Sequence, residues 1–331
     1  MPLHDASYKH WDGQHQGIWS RRWVIMSHGL TACFQNRVAR LILSLSWTSA
    51  LLVAGILFLL GQLIVPESAV LEWVENLSPQ LQAFAGMLIG WLDQHPDISV
   101  RAAQNVLFYF QSILLIKLAI FALGVSLPLL ITRDLGSNAI ILYSSKAISR
   151  GDYLLGKFAT AAGVVFLTWL GPMLAAWFAG NLLAPDWRFF WHSRAVLAHI
   201  LLNGVLATTV LGVLALGVSA LSAREKSTAS VWFTWWILGG ILGPIAMHTR
   251  PWLRHLGFNF NLDELAAYVF RVGADITTAQ DTIPVLGDML RGVRADTLRS
   301  FNNPETSGAI VAILLLSLTS GWILSRKVRP E

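Results

Sequence analysis

The sequence predicts an all-α integral membrane protein. Six transmembrane helices are expected, with an amphipathic interfacial helix before them and a short cytoplasmic helix between the second and third. Three observations carry this. Of 331 residues, 54% are hydrophobic and 13% charged, about half the charged share of a soluble domain. Several apolar runs reach the ~20 residues a helix needs to cross ~30 Å of hydrocarbon. With no water to receive stray backbone groups, such runs must be helical. Finally, lysine and arginine gather on alternate loops, as orientation in a membrane requires.

Residues 1–40 form a charged lead. Within it Trp19, Trp23, Met26, Leu30 and Phe34 recur at helical spacing, with Arg21, Arg22 and Gln35 elsewhere around the turn. That pattern predicts a helix over Ile18–Phe34 lying at headgroup depth; a soluble helix packed on a partner is the alternative. The first span is expected over 41–65, beginning only after this lead, so no cleavable leader is expected and the first span serves as its own insertion signal. Loop 66–105 is acidic and carries one amphipathic run, Leu77–Leu92, too short to span.

The second span is expected over 106–132 and the third over 158–183. Trp187 and Trp191 follow as an interfacial anchor. The fourth, 195–221, carries Gly204, Thr208 and Gly212 at four-residue spacing, which lets a neighbouring helix approach closely. A tight turn leads to the fifth, 229–247, where Gly239, Gly240, Gly243 and Pro244 predict a kink or break. In the long loop 248–306, Asn261 and Glu264 are spaced as a capping box ahead of an apolar run. The sixth span, 307–325, leads to a basic tail, 326–331.

Six spans put both termini on one side. That side holds five Lys and Arg before the first span, four in 133–157, two in the tight turn and three in the tail; the other loops hold one, two and six. Five of the six lysines lie on the terminal side and none opposite, Lys117 being inside the second span. The positive-inside rule makes the termini cytoplasmic and the location the cytoplasmic membrane. The net charge of +5 is divided by membrane side, so it is no nucleic-acid footprint. The single cysteine, Cys33, excludes an intrachain disulfide and a cysteine-rich metal site.

The stretch Arg133–Lys157 is a polar island between two apolar runs. Its end, Gly151 to Lys157, fits the phosphate-loop spacing G-x-x-x-x-G-K, but Phe158 stands where a Ser or Thr must hold magnesium. Nucleotide binding is therefore not expected of this chain. Leu135–Tyr143 predicts a short helix along the membrane, with Ile140, Ile141 and Leu142 as apolar contacts. Such a helix between two spans is a handle for a partner's groove; a plain solvated connector is the alternative.

Asp134, the short apolar helix, Ser145-Lys146-Ala147-Ile148-Ser149-Arg150, Tyr153, Gly156 and Lys157 together resemble the membrane subunit of ABC-2 type transporters. Many members have proline where Ala147 stands. The resemblance covers about 25 residues specifically and the architecture loosely. It implies an ATP-binding partner subunit and a second permease subunit, making a homo- or heterodimer within membrane lipid. The helix between spans two and three would be the coupling helix, seated in the ATPase. Asp134, Leu135, Ile140, Ile141, Tyr143, Lys146, Ser149, Arg150 and Tyr153 would form that coupling element. ATP and magnesium would belong to the partner, and no cofactor, metal or catalytic residue is expected here.

Polar groups inside spans are functional candidates because lipid makes them costly. Lys117 and Gln111 in span two, and His199 and Asn203 one turn apart in span four, are the candidates for a substrate path. Snorkelling or pairing within the bundle competes with that role for Lys117. The expected function is ATP-driven movement of an amphipathic or lipid-like cargo, in the export direction. A membrane-embedded lipid-modifying enzyme using Asp263, Glu264 and His255, or an ATPase-driven signalling subunit that moves nothing, are the alternatives.

Overall fold

The computed structural model describes residues 17–63, 96–139, 149–246, 250–282 and 305–328, with isolated positions between 76 and 90. Helix α1, Ile18–Gln35, matches the bounds of the helix predicted over Ile18–Phe34. Trp19 and Trp23 are exposed, while Cys33 turns into the core; burial raises the Cys33 pKa, against the field of Lys157. Asn36 breaks the helix, and α2, Arg37–Leu63, begins at once.

Helix α3, Pro96–Leu127, is prolonged by a π turn over Pro128–Thr132 and a last turn, Arg133–Gly136. Helix α4, Arg150–Val165, likewise continues through a π turn, Phe166–Leu170, into Gly171–Leu183. Then come α5, Trp187–Ser219, and α6, Glu225–Ala246. A 3-10 turn, Pro251–Leu256, leads to α7, Phe258–Val269, and α8, Val272–Thr282; α9 is Thr306–Lys327. No strand occurs among the described residues.

Among the described residues five helices are long and apolar enough to cross a membrane: Arg37–Gln62, Ile98–Gly136, Arg150–Leu183, Trp187–Ser219 and Thr306–Lys327. They coincide with expected spans one to four and six. The expected fifth falls on α6, a helix of 22 residues outside that set. The apolar windows of α3, α4 and α5 are 56%, 61% and 61% buried, against 33% in α2 and 17% in α9. The first three therefore form the centre, and α2 and α9 its flanks.

Several boundaries differ from expectation. Helix α3 starts ten residues before Val106 and α5 eight before Ala195, where Asp186 caps it by accepting the N–H of Arg188. Hydropathy marks where lipid contact ends, whereas a helix continues until its backbone loses partners. Leu135 belongs to the last turn of α3, and Asn138 follows with φ 53°. That left-handed residue interrupts the expected helix over Leu135–Tyr143 between Gly136 and Ala139, which is helical again; residues 140–148, with Ile140, Ile141, Tyr143 and Lys146, lie outside the described residues. So do most of loop 66–105 and its run Leu77–Leu92, and 283–304. Of the kink or break expected near Gly243 and Pro244, the break does not occur, since α6 is helical to Ala246.

Asn261 is no cap: α7 begins a turn earlier, after Gly257. Its buried side-chain amide instead donates to the carbonyls of His255, at 2.8 Å, and Gly257, at 3.1 Å, stitching the 3-10 turn to the helix. Glu264 caps at a distance, accepting the N–H of Glu305 at 2.7 Å, just before α9.

The small residues of α5 act as expected. A Cβ at Gly204 would stand 2.6 Å from Leu170, and one at Gly212 2.7 Å from Phe158, so α4 lies directly on that face.

The two π turns expose how the bundle settles its backbone. Pro128 brings no N–H to the first, and Arg133 donates back five residues to Pro128. The Ser219 hydroxyl at the end of α5 is spliced into the gap. It accepts from the N–H groups of Ile131 and Thr132, at 2.9 and 3.2 Å, and donates to the Leu127 carbonyl at 2.8 Å. Thr132 returns its hydroxyl to the Ser219 carbonyl at 2.8 Å. In the second turn the Leu167 carbonyl, five residues before Pro172, accepts the Trp47 indole N–H at 3.1 Å.

Ser219 is fully buried, so Ser219→Ala strands three backbone groups at once. The expected loss is about 1–3 kcal/mol of unfolding free energy in detergent, measured by denaturant titration. Ser227→Ala, on an exposed position of α6, should leave the midpoint unchanged.

Candidate functional site

At one end of the bundle the close of α3 meets the start of α4. Asp134 is the meeting point. Its Oδ2 accepts the Tyr153 hydroxyl at 2.6 Å and pairs with Lys157 Nζ at 2.8 Å. The Lys157 ammonium also donates to the Leu129 carbonyl, 3.1 Å away in the first π turn. Only 10% of the Lys157 side chain and 16% of that of Asp134 are exposed, so this pair lies largely out of water. The phosphate-loop look-alike is thus a helix start, with its lysine committed to Asp134.

The local sequence explains why α4 begins here. Ser149 is its N-cap: the side chain accepts the Asp152 N–H, and Asp152 returns a bond to the Ser149 N–H. The S-x-x-D signal for that box was present in Ser149-Arg150-Gly151-Asp152. Asp152 also holds Arg22 of α1, whose Nε donates at 2.7 Å. Arg150 reaches the other way, its Nη2 donating to the Leu324 carbonyl at 2.8 Å in the last turn of α9. Arg133 and Glu225 close the ring at 2.7 Å; both are half exposed, so their pairing contributes little.

Of the nine predicted coupling residues, Asp134 and Tyr153 are bonded directly, and Ser149 and Arg150 stand in the adjoining turn. Leu135 packs against the core. Lys157, Asp152 and Arg22 were not among the predicted coupling residues. Lys157 had a signal, its place in the Gly156-Lys157 motif; Arg22–Asp152 had none, being 130 residues apart.

The predicted path residues part company. His199 Nδ1 lies 2.9 Å from Asn105 Oδ1, and the Asn105 amide donates to buried Asp275 of α8 at 2.6 Å. With that amide nitrogen engaged by Asp275, the Asn105 oxygen is left to accept, which places a proton on His199 Nδ1. Asn203 donates to Ser112 at 3.1 Å. His199 and Asn203 do share a face, as expected, and both use it to bind α3. Gln111 is 4% exposed and neither amide atom has a partner among the described residues. Lys117 is exposed.

Between α6 and α9 lies a second charged group. Arg254 pairs with Glu305, and His255 bonds Asn261 at 2.7 Å through Nδ1 and Glu305 at 3.2 Å through Nε2. Burial pushes the Asp263 carboxyl up to about 7, against the pull of Lys117 and with a further rise from Glu264. Glu264 is raised too, by burial, against Arg254 and His255. Among the described residues no three His, Cys, Asp or Glu side chains are placed to hold a metal ion.

The chain matches no protein-family model and no curated protein.

Two predictions follow from this geometry. Removing one partner of a mostly buried pair leaves the other uncompensated, at about 3–5 kcal/mol. Asp134→Ala alone should therefore destabilise more than Asp134→Ala with Lys157→Met, and a double-mutant cycle of denaturation midpoints measures the difference. The second concerns pH. A carboxyl raised in the folded state binds protons that the unfolded chain releases, so its contribution is full below pH 3.8 and lost as pH rises through about 7. The melting temperature in detergent should fall between pH 5 and pH 8, and Asp263→Asn should flatten that fall.

Proposed function

We propose that the chain is the permease subunit of an ATP-binding cassette transporter of the ABC-2 type. In this reading it spans the cytoplasmic membrane six times, α6 being the fifth span, with both termini in the cytoplasm. It pairs with a second permease subunit, and an ATP-binding subunit supplies ATP and magnesium. The cargo is amphipathic or lipid-like and moves outward.

The bond set around Asp134 is the observation that supports this most. It ties the end of α3 to the start of α4 on either side of residues 140–148. A push on that segment then reaches two central spans together instead of being absorbed by a loose connector. Arg22–Asp152 and Arg150–Leu324 extend the same frame to α1 and α9. A lipid-modifying enzyme has weaker support. Its imidazole, His255, has both ring nitrogens engaged by Asn261 and Glu305, leaving neither free as a base.

The test is purification of the complex from its native membrane. An ATP-binding subunit should co-purify, and vesicles holding both should show ATP-dependent flux of an amphipathic dye. Tyr153→Phe, which removes one bond to Asp134, should retain the complex while lowering flux per ATP hydrolysed by several-fold. Sustained flux by the purified chain alone, or hydrolase activity abolished by Asp263→Asn, would sink the reading.

A further inference from the structure

Lys117 stands in the wrong place for an ordinary lysine. It lies within the apolar run from Val106 to Thr132, roughly 16 Å along the helix from one end and 22 Å from the other at 1.5 Å per residue. A lysine side chain is too short to carry its ammonium to water over either distance. It is nevertheless exposed, on a stripe of α3 shared with Phe110, Leu114 and Phe121, which are 56%, 52% and 37% exposed. Among the described residues no hydrogen bond or ion pair engages it. Ammonium groups facing hydrocarbon are costly, and those that persist meet a counter-charge or water.

Among the described residues no carboxylate forms an ion pair with Lys117. Asp263 on α7 feels the field of Lys117, as does its neighbour Glu264 that of Arg254 and His255. Yet Asp263 makes no salt bridge with Lys117, and its carboxyl, pushed up to about 7, is only partly ionised near neutrality. On geometry, the Lys117 ammonium therefore has no carboxylate bonded to it among the described residues. One turn along, Phe121 packs on Phe233 and Trp236 of α6, with ring centroids 5.1 and 6.4 Å apart. A cation beside an apolar aromatic wall suits a molecule with an anionic head and an apolar tail.

We propose that Lys117, with Phe121, Phe233 and Trp236, forms a binding site for the anionic headgroup and proximal tail of an amphipathic molecule, a carboxylate, sulfate or phosphate on a hydrocarbon chain. It rests on the permease reading only in making that molecule a cargo; the site itself needs no ATPase. Lys117 selects the charge, and the aromatic wall accepts the chain.

The experiment is photolabelling of the full chain in nanodiscs of zwitterionic lipid, with two diazirine probes of equal length, dodecanoate and dodecanol. Dodecanoate should label the peptide spanning 106–121 and dodecanol should label it at least tenfold less. Unlabelled dodecyl phosphate should compete. Repeating the experiment with phosphatidylglycerol in the disc separates the sources: competition identifies a bilayer headgroup as the anion, and undiminished labelling identifies a free amphiphile. Lys117→Gln should remove about nine-tenths of the dodecanoate label and Lys117→Arg should retain most of it, both at an unchanged melting temperature. Equal labelling by the two probes overturns the proposal, as does a dodecanoate label that survives Lys117→Gln. So does a Lys117→Gln protein whose oligomeric state changes while its labelling does not, since a second copy then covers the face. Because no step uses ATP or flux, failure here leaves the permease reading standing, and failure of that reading leaves this site standing.

Discussion

Backbone satisfaction away from water is the constraint on which this structure depends. Helices α3 and α4 each carry a proline where an unbroken ladder of bonds cannot continue, and each widens there into a π turn. In both, a side chain from another helix completes the ladder: Ser219 from α5 for the first, Trp47 from α2 for the second. The exchange is mutual. The irregular turns cost bonds within one helix and recover them between helices, so the places where each span is weakest alone are the places where the bundle is joined.

The same logic reaches the charged end. Lys157 answers both Asp134 and a π-turn carbonyl, Leu129. A buried ion pair offers stability only when its remaining hydrogen-bonding capacity is met, and here Tyr153 and Leu129 meet it. The frame around residues 140–148 is therefore a continuation of the packing inside the membrane, not a surface ornament added to it.

Sequence made the class legible because hydropathy and the side-to-side division of charge depend on composition over long windows. It also revealed α1, whose tryptophans and arginines repeat at helical spacing, and the close face of α5, where Gly204 and Gly212 do meet Leu170 and Phe158. Starts of helices were poorly legible. Val106 and Ala195 are where apolar character begins, but Pro96 and Asp186 are where the helical backbone begins. Asn261 looked like a cap and is a stitch, since its local pattern fits both roles. The Asp134 cluster was half visible: its members were prominent in one motif, while their partners Arg22 and Leu324 are remote in the chain.

The unequal lengths of the helices have a mechanical outcome. Ile98–Gly136 runs 39 residues, roughly 58 Å at 1.5 Å per residue, well beyond the ~30 Å hydrocarbon thickness. Helices α4 and α5 are nearly as long, at 34 and 33 residues in their apolar segments. All three are bonded together at the Asp134 and Ser219 level, and again towards the other end through His199–Asn105, Asn203–Ser112 and Ser193–Asn181. Hydrophobic mismatch in a thinner or thicker bilayer is then met by tilting the three helices as one block, because none of them is free to slide past the others.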